Sequence, residues 1–526
     1  MSGHRLILTS PKWSTGETEG LHVWHSVKQE VPAGLSPGFD TKDLGKLTGN
    51  WAVVDQREDE IVIATDLVRS HPLAYSYQDG SWIVTDDIEH LRELMPFEPN
   101  KTQIDIFENT VFTLGDETLV NGVYSSPAAS LIRLKPDGSK FYEDLVDYRF
   151  SETPIDAPDA FARKFSYALD TAFKRLLEIS GNRELVIPLS GGLDSRLVAL
   201  WLKKLGAPNV TCFTYGKPGS AESKISKQVA DDLGLDWHYV EMDVDEVRRA
   251  WHSPEADEFL RATWKGTSLP HIQDWFALRQ LKANATISAD SIFLPGHTIV
   301  GNMHDEELAN ITPSDEQLET ALLKHHANAQ GKWRQTAKIP AIRETVETAV
   351  RAFSGLDRHA QETFEWFNIN ERQAKYINNS MSSYEHFGYS WALPMLEEDL
   401  VNVWLSGSPE LTLTRDWYGD FVAKEFAAAT GRSIKLFEPP STKMPGFVKH
   451  LLLAGMRATK VDILLERRRS AQTVLHHPMS FEALTDVPPI EQRIKIMRGA
   501  NQLSFWVTAF LNNSWGGQGD IVPAHT

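Results

Sequence analysis

The chain has a single cysteine, Cys212, among 526 residues. An intramolecular disulfide is therefore excluded, and so is a zinc site built on paired thiolates. Long hydrophobic runs are also missing. No stretch approaches the roughly 20 apolar residues that a membrane span needs, and the opening MSGHRLILTSPKWS lacks the apolar core of a signal peptide. These absences point to a cytoplasmic protein with no membrane partner. Positive charge is scarce as well. The 53 Lys and Arg stand against 71 Asp and Glu, a net charge of −18. Little is left to offset phosphate repulsion, which argues against a nucleic-acid partner. The 18 histidines show no HxxxH or HExxH ligand spacing. What remains is an ordinary soluble composition, 41% hydrophobic and 24% charged, in a chain long enough for two or three domains.

The organisation changes near residue 150. Before it, short apolar runs (RLILT, GNWAVV, EIVIAT, SWIVT) alternate with turn residues, as strands and hairpins require. Residues 1–150 are thus expected to form a β-rich domain. The polar SETPIDAPD, with its two prolines, reads as part of a linker over 151–160. Phe161, Phe165, Ala168, Leu169, Ala172 and Leu176 then recur at helical spacing. From Glu184 to Met242, apolar strands (ELVIPL, NVTCFTY, WHYVEM) alternate with helical patterns, which predicts a parallel sheet with crossover helices. Beyond about residue 305 the pattern is mostly helical. The fold class expected is α/β, with 161–526 as the second domain.

The most informative segment is Ser190-Gly191-Gly192-Leu193-Asp194-Ser195, set between a strand and a helix. The two glycines let the backbone turn tightly and approach a phosphate. The helix start supplies unpaired N–H groups and a dipole that favours an anion. Ser190 and Ser195 add hydroxyl donors. Asp194 would repel phosphate unless a cation intervened, so it reads as a Mg²⁺ ligand. An ordinary glycine-rich β–α turn is the plain alternative. The Walker pattern GxxxxGK[ST] is absent.

SGGLDS resembles the pyrophosphate loop of the N-type ATP pyrophosphatases, and the chain is similar to the asparagine synthetase superfamily within that group. The resemblance extends to FTYGKPGSAESKISKQVADDLGLDWHYVE, where such proteins hold adenine and ribose, and to NERQAKYINNSMSSYEHFGYSWALPMLEEDLV near the C-terminal side. GNWAVVDQREDEIVIATDLVRSHPLAYSY and WIVTDD resemble the central strands of the family's glutaminase domain. The resemblance implies an Ntn-hydrolase-like (glutaminase-like) N-terminal domain and an adenine-nucleotide α-hydrolase (HUP-like) domain with a helical extension. It implies ATP and Mg²⁺ as cofactors. ATP would be bound by residues 190–195 together with Phe213, Tyr215, Glu222 and Gly296. It also implies the reaction: a substrate carboxylate is adenylated with release of pyrophosphate, and an amine then displaces AMP to form an amide.

Two departures from the family matter. Its glutaminases use a cysteine after the initiator methionine, where this chain has Ser2, and the glutamine-recognition motifs are missing from residues 20–100. The glutaminase half is therefore expected to be inactive, with the amine taken from a second substrate or from ammonia, as in β-lactam synthetases and lasso-peptide cyclases. In LPGHTIVG, Gly296 matches the family's glycine at the nucleotide, but no second metal-binding Asp follows at the usual offset; Asp305 is the nearest acid downstream. His297 takes the place of a substrate-binding acid or catalytic tyrosine. It reads either as a base for the amine near neutral pH or as a residue that hydrogen-bonds its loop. Glu385 is its candidate partner, or a solvated helix residue. Lys443 lies near the family's charge-neutralising lysine, and Arg196 either contacts phosphate or sits on a helix surface.

The leading reading is an ATP-dependent carbon–nitrogen ligase acting on a small-molecule carboxylate and an amine. The resemblance suggests a uronic acid of a surface polysaccharide, or a specialised metabolite. Another N-type pyrophosphatase activity and a degenerate nucleotide-binding protein are the alternatives. A homo-oligomer is left open.

Overall fold

A computed structural model of the chain describes residues 4–16, 19–301, 308, 311–436, 461–517 and 519–524, without the side chains of 461 and 462. In the first 150 residues the strands are β1 (Arg5–Ile7), β2 (Trp13–Thr15), β3 (Leu21–His25), β4 (Trp51–Gln56), β5 (Ile61–Thr65), β6 (Ala74–Gln78), β7 (Ser81–Thr85), β8 (Val123–Ser125), β9 (Ser130–Leu134) and β10 (Lys140–Asp144). They form a four-stranded sheet, β1-β7-β6-β8, and a six-stranded sheet, β10-β9-β5-β4-β3-β2. All pairings are antiparallel except β1 with β7.

Strand alternation builds two cores from the larger sheet. Val54, Ile61, Ile63 and Ile132 point between the sheets and meet Tyr75, Trp82 and Val84. Their neighbours Val53, Val62, Ala64 and Leu131 point the other way, under Leu35, Phe39, Leu44 and Leu47. That is why IVIAT is buried throughout and reads as a continuous apolar run. The helix α1 (Lys101–Thr110) is N-capped by Asn100, whose side chain accepts from the Gln103 N–H.

The connection to the second half is shorter than its prolines suggested. Helix α2 (Pro158–Ser180) begins inside the expected linker of 151–160, with Pro158 in its first turn, where the missing N–H costs nothing. The residues before it are pinned: Ser151 N–H donates to the Leu405 carbonyl at 2.8 Å and Ile155 N–H to the Ser406 carbonyl at 2.8 Å. All six apolar positions expected to face inward on α2 are buried.

The second half is built on β11 (Leu185–Pro188), β12 (Val210–Gly216), β13 (Asp236–Glu241), β14 (Ile292–Phe293) and β15 (Ser390–Trp391), all parallel, in the order β13-β12-β11-β14-β15. Helices α3 (Asp194–Lys204) and α4 (Ala221–Leu233) make the first two crossovers. The chain steps one way from β11 to β12 and β13, then returns to place β14 on the opposite side of β11. That reversal opens a crevice at the carboxyl ends of β11 and β14, the place where open α/β sheets bind ligands. Helical segments between β13 and β14 and at the C-terminal side share a second core rich in buried Trp (Trp251, Trp264, Trp275, Trp506, Trp515). The fold class is α/β as expected, an antiparallel β-rich half joined to a parallel-sheet half with helical additions. No helix among the described residues is long and apolar enough to cross a membrane.

Candidate functional site

The two loops at this crevice are SGGLDS, leaving β11, and Leu294-Pro295-Gly296-His297, leaving β14. The first is folded by its own hydroxyls. Ser190 N–H donates to Ser195 Oγ at 3.1 Å, and Gly192 N–H donates to Ser190 Oγ at 3.2 Å. The second lies directly on it. A Cβ on Gly296 would fall 2.5 Å from the Ser195 nitrogen, so only glycine lets the two backbones approach this closely.

Between them is a cavity of about 380 Å³ whose wall includes Ser190, Asp194, Ser195, Phe213, Tyr215, Glu222, Gly296 and His297. Eight of the residues read from the sequence thus share one space. Gly191, Gly192 and Leu193 shape the loop without lining the cavity, and the Leu193 side chain turns toward Gly419 instead. Among the further wall residues, His271 and Asp274 lie outside every segment singled out in the sequence, while Ile377 and Tyr384 lie within the NERQAKYINNSMSSYEHFGY stretch without being named there. Tyr215 and Tyr384 both donate their hydroxyls to Asp274, the latter at 3.1 Å. Burial raises the Asp274 pKa, and those hydrogen bonds oppose the rise.

A second chamber of about 270 Å³ adjoins the first and shares Asp194, Gly296, His297 and Ile377 with it. Its far wall is an unusual element, a π-helix over Asn368–Ile377. The wider winding brings Asn368, Ile369, Gln373 and Ile377 to the chamber, and π-helical segments are frequent at functional sites. Glu365 lies on the same wall, 3% exposed, and accepts from Tyr148 Oη at 2.8 Å, Trp404 Nε1 at 3.0 Å and Gln361 Nε2 at 2.7 Å. Burial raises its pKa against those bonds. Arg415 is the cation of this chamber and is ion-paired with Asp194.

Several expectations change in detail. His297 is held by Asn378, whose Oδ1 lies 3.2 Å from its Nδ1. Burial pushes its pKa down to about 4, aided by the charge of His271, while the Asn378 hydrogen bond works the other way. It is therefore neutral at pH 7 and a weaker base than a free imidazole. Glu385 is not its partner. Its carboxylate accepts from Trp391 Nε1 at 3.0 Å and lies 3.5 Å from Lys12, a bridge between the two halves of the chain rather than a solvated helix face. Arg196 is fully buried, donating to the Lys435 carbonyl at 2.9 Å and the Gly191 carbonyl at 3.4 Å, so it braces the loop from behind. Cys212 is a core thiol whose pKa burial pushes up to about 12. Ser2, Asp305 and Lys443 lie outside the described residues.

A larger cavity, about 680 Å³, is elsewhere. It is lined by Glu184, Asn209, Gly234 and Asp236, at the opposite ends of the same strands, and lacks the loops that could hold a phosphate.

Residues 164–418 match the family model for asparagine synthase. These residues form an asparagine synthase domain. It begins within α2 and spans the sheet, both loops at the crevice, the π-helix and Arg415. No curated protein matches the chain. Among solved structures, it is similar to a predicted subunit of a tRNA methyltransferase from Methanocaldococcus jannaschii, at 22% identity and a TM-score of 0.15. That alignment covers 27% of this chain and 63% of the archaeal one. It is also similar to an NH3-dependent NAD synthetase from Campylobacter jejuni, at 14% identity and a TM-score of 0.21, covering 37% of this chain and 96% of that one.

Proposed function

We propose that the chain is an ATP-dependent carbon–nitrogen ligase that adenylates a carboxylate and passes the acyl group to an amine. The observation that carries this reading is the junction of the two cavities, where SGGLDS, Gly296 and His297 meet. ATP occupies the larger space, with its phosphates against residues 190–195. Phe213, Tyr215 and Glu222 flank the nucleoside. Among the described residues no cluster of three metal-ligating side chains exists. The donor set is the single carboxylate of Asp194, which suits Mg²⁺, an ion bound through one or two carboxylates plus substrate phosphates. Such an ion would neutralise charge on the departing pyrophosphate.

The acid enters the second chamber, where Arg415 is placed to meet its carboxylate beside the loop. A carboxylate oxygen attacks the α-phosphorus, and the bond to pyrophosphate breaks. The amine then attacks the acyl carbon, its proton passes to His297, and AMP leaves. A chamber of about 270 Å³ suits a compact acid; a single sugar unit bearing a carboxylate, as in a uronic acid, is of that order. Lys443 is assigned the neutralising role implied by the family resemblance. The N-terminal half supplies no nitrogen in this scheme. The pairing of Arg415 with Asp194 favours a second reading, a nucleotide-binding protein without turnover. ATP–pyrophosphate exchange stimulated by added acids separates the two. Exchange with any acid supports the ligase, and its absence across a broad acid panel that still binds ATP would support the other.

A further inference from the structure

The N-terminal domain meets the asparagine synthase domain along the π-helix, through buried hydrogen bonds. Lys375, 3% exposed, donates to the carbonyls of Thr113 at 2.9 Å and Gly115 at 2.7 Å, and pairs with Glu371 at 2.6 Å. Gly115 N–H returns a bond to Glu371 at 3.3 Å. Just past the helix, Asn378 Nδ2 donates to the Val68 carbonyl at 2.8 Å. The other side of the same amide faces the site: Asn378 Oδ1 accepts from Gln373 Nε2 at 2.9 Å and lies 3.2 Å from His297 Nδ1.

These contacts determine where a proton sits. A backbone carbonyl only accepts, so the amide nitrogen of Asn378 must face Val68, which turns the amide oxygen toward His297. An amide oxygen also only accepts, so the closer contact at 3.2 Å places the imidazole proton on Nδ1; Gln373 Nε2, a donor 3.5 Å from the same nitrogen, makes its shorter bond to Asn378 Oδ1 at 2.9 Å instead. Nε2 then keeps a lone pair, and the ring's hydrogen-bond partners among the described residues, Asn378 and Gln373, both lie at Nδ1. That is the tautomer a base requires, because the ring nitrogen that receives a proton must start without one.

We propose that Asn378, oriented by the Val68 carbonyl of the N-terminal domain, is a positioning residue that selects the Nε2-accepting tautomer of His297. The N-terminal half thereby serves the ligase site by orienting its base, whatever its own chemistry. The catalytic consequence rests on the reading of His297 as the base for the amine; the tautomer itself does not.

The test uses the full chain labelled with ¹⁵N-histidine, with the His297 signal assigned by its loss in His297→Gln. In the unsubstituted protein at pH 7, Nδ1 should carry the proton and Nε2 should resonate as an unprotonated nitrogen. Asn378→Leu removes the acceptor, so the ring should become a mixture of tautomers, and the ratio of amide formation to ATP–pyrophosphate exchange should fall about tenfold or more. Asn378→Asp keeps the acceptor and adds a charge. It should retain the tautomer and move the acid limb of amide formation to higher pH. Asp194, Arg415, His271, Asp274 and Glu365, the other charged or titratable groups around the ring, are the same in all variants, so the difference reports on residue 378. If Nε2 stays unprotonated to the same extent in Asn378→Leu, the relay is overturned whatever the rate does. If the tautomers mix but the rate ratio is unchanged, the relay stands and the base is another group. If Asn378→Leu does not fold, the ¹⁵N spectrum of Asn378→Asp decides: a neutral ring found there with its proton on Nε2 overturns the relay on its own.

Discussion

Asp86 and Asp194 each follow a β-strand, one in each half of the chain, and their surroundings are opposite. Asp86 is saturated: it accepts from Thr9 N–H at 2.9 Å, Ser10 N–H at 2.8 Å and Trp13 Nε1 at 2.9 Å. Burial works to raise its pKa, but those bonds and the neighbouring His71 hold it well below the usual carboxylate range. Around it, His71 stacks on Trp24 at 4.3 Å and Trp24 in turn lies near Trp391 of the other half. Asp194 meets Arg415 and opens onto two cavities. A carboxylate whose acceptor sites are filled by backbone and side-chain donors of a neighbouring segment organises a fold. One that is ion-paired at a cavity junction and opens onto both cavities is available to a ligand. On the proposed function, the N-terminal half holds the organising role and the second half the reacting one.

The largest effect should separate these two residues directly. Asp194→Ala should abolish acid-dependent ATP–pyrophosphate exchange while leaving thermal unfolding nearly unchanged. Asp86→Ala should do the reverse, because it removes the acceptor shared by four donors of Thr9, Ser10 and Trp13, and each that is left out of water costs about 1–3 kcal/mol. A calorimetric scan and an exchange assay on both variants suffice. A stable, active Asp86→Ala would dissolve the contrast.

Next in size, His297→Ala should lower amide formation by about 10²–10⁴ while sparing exchange, since only the second step moves a proton from the amine. With its pKa down at about 4, the ring is neutral and competent at pH 7. The amide rate should therefore hold down to mildly acid pH and fall only as pH drops through that value. His297→Gln should lack that limb. Lys443→Ala should depress exchange and amide formation together; normal exchange in that variant would remove Lys443 from the site.

A smaller effect concerns stability in both halves. Burial lowers His25 in the N-terminal half, and His271 and His297 in the second, to about 4. The unfolded chain takes up these protons near the ordinary histidine value of 6.5, the folded chain only near 4. Between those values the unfolded state binds more protons, so stability is complete above about 6.5 and falls as pH drops toward 4. The melting temperature should decline over that window, and His25→Gln should flatten part of the decline. The smallest effect is none at all. Ser2→Ala should leave every activity unchanged, and incubation with glutamine and ATP should release no glutamate above background. Glutamate release lost in that variant would restore a working glutaminase and undo the division of labour.

Much of the site was legible because it is local. The loop glycines, the hydroxyls of Ser190 and Ser195, and Asp194 lie within six consecutive residues bounded by a strand and a helix. Gly296 was legible by the family resemblance, and the structure supplies its reason in the 2.5 Å approach to Ser195. The linker was misjudged at Pro158 because a proline that interrupts a helix and one that begins it look alike without the backbone around them. Glu385, offered from the YEHFGY segment as a partner for His297 or a solvated helix residue, is neither, because packing of the two halves turned it to Trp391 and Lys12.

What the amino-acid sequence determined by itself is the alternation of strands and helices and the glycine-rich turn that leaves β11, because hydrophobic period, glycine placement and helix starts act over a few residues. Which groups share the site was decided only by the tertiary structure. Asp194 and Arg415 are 221 residues apart, His297 and Asn378 81, and Asn378 and Val68 310. The sequence carries no local mark of such pairs. They meet because the sheet reverses direction at β11, bringing both loops to one crevice, and because the π-helix is held between that crevice and the N-terminal sandwich.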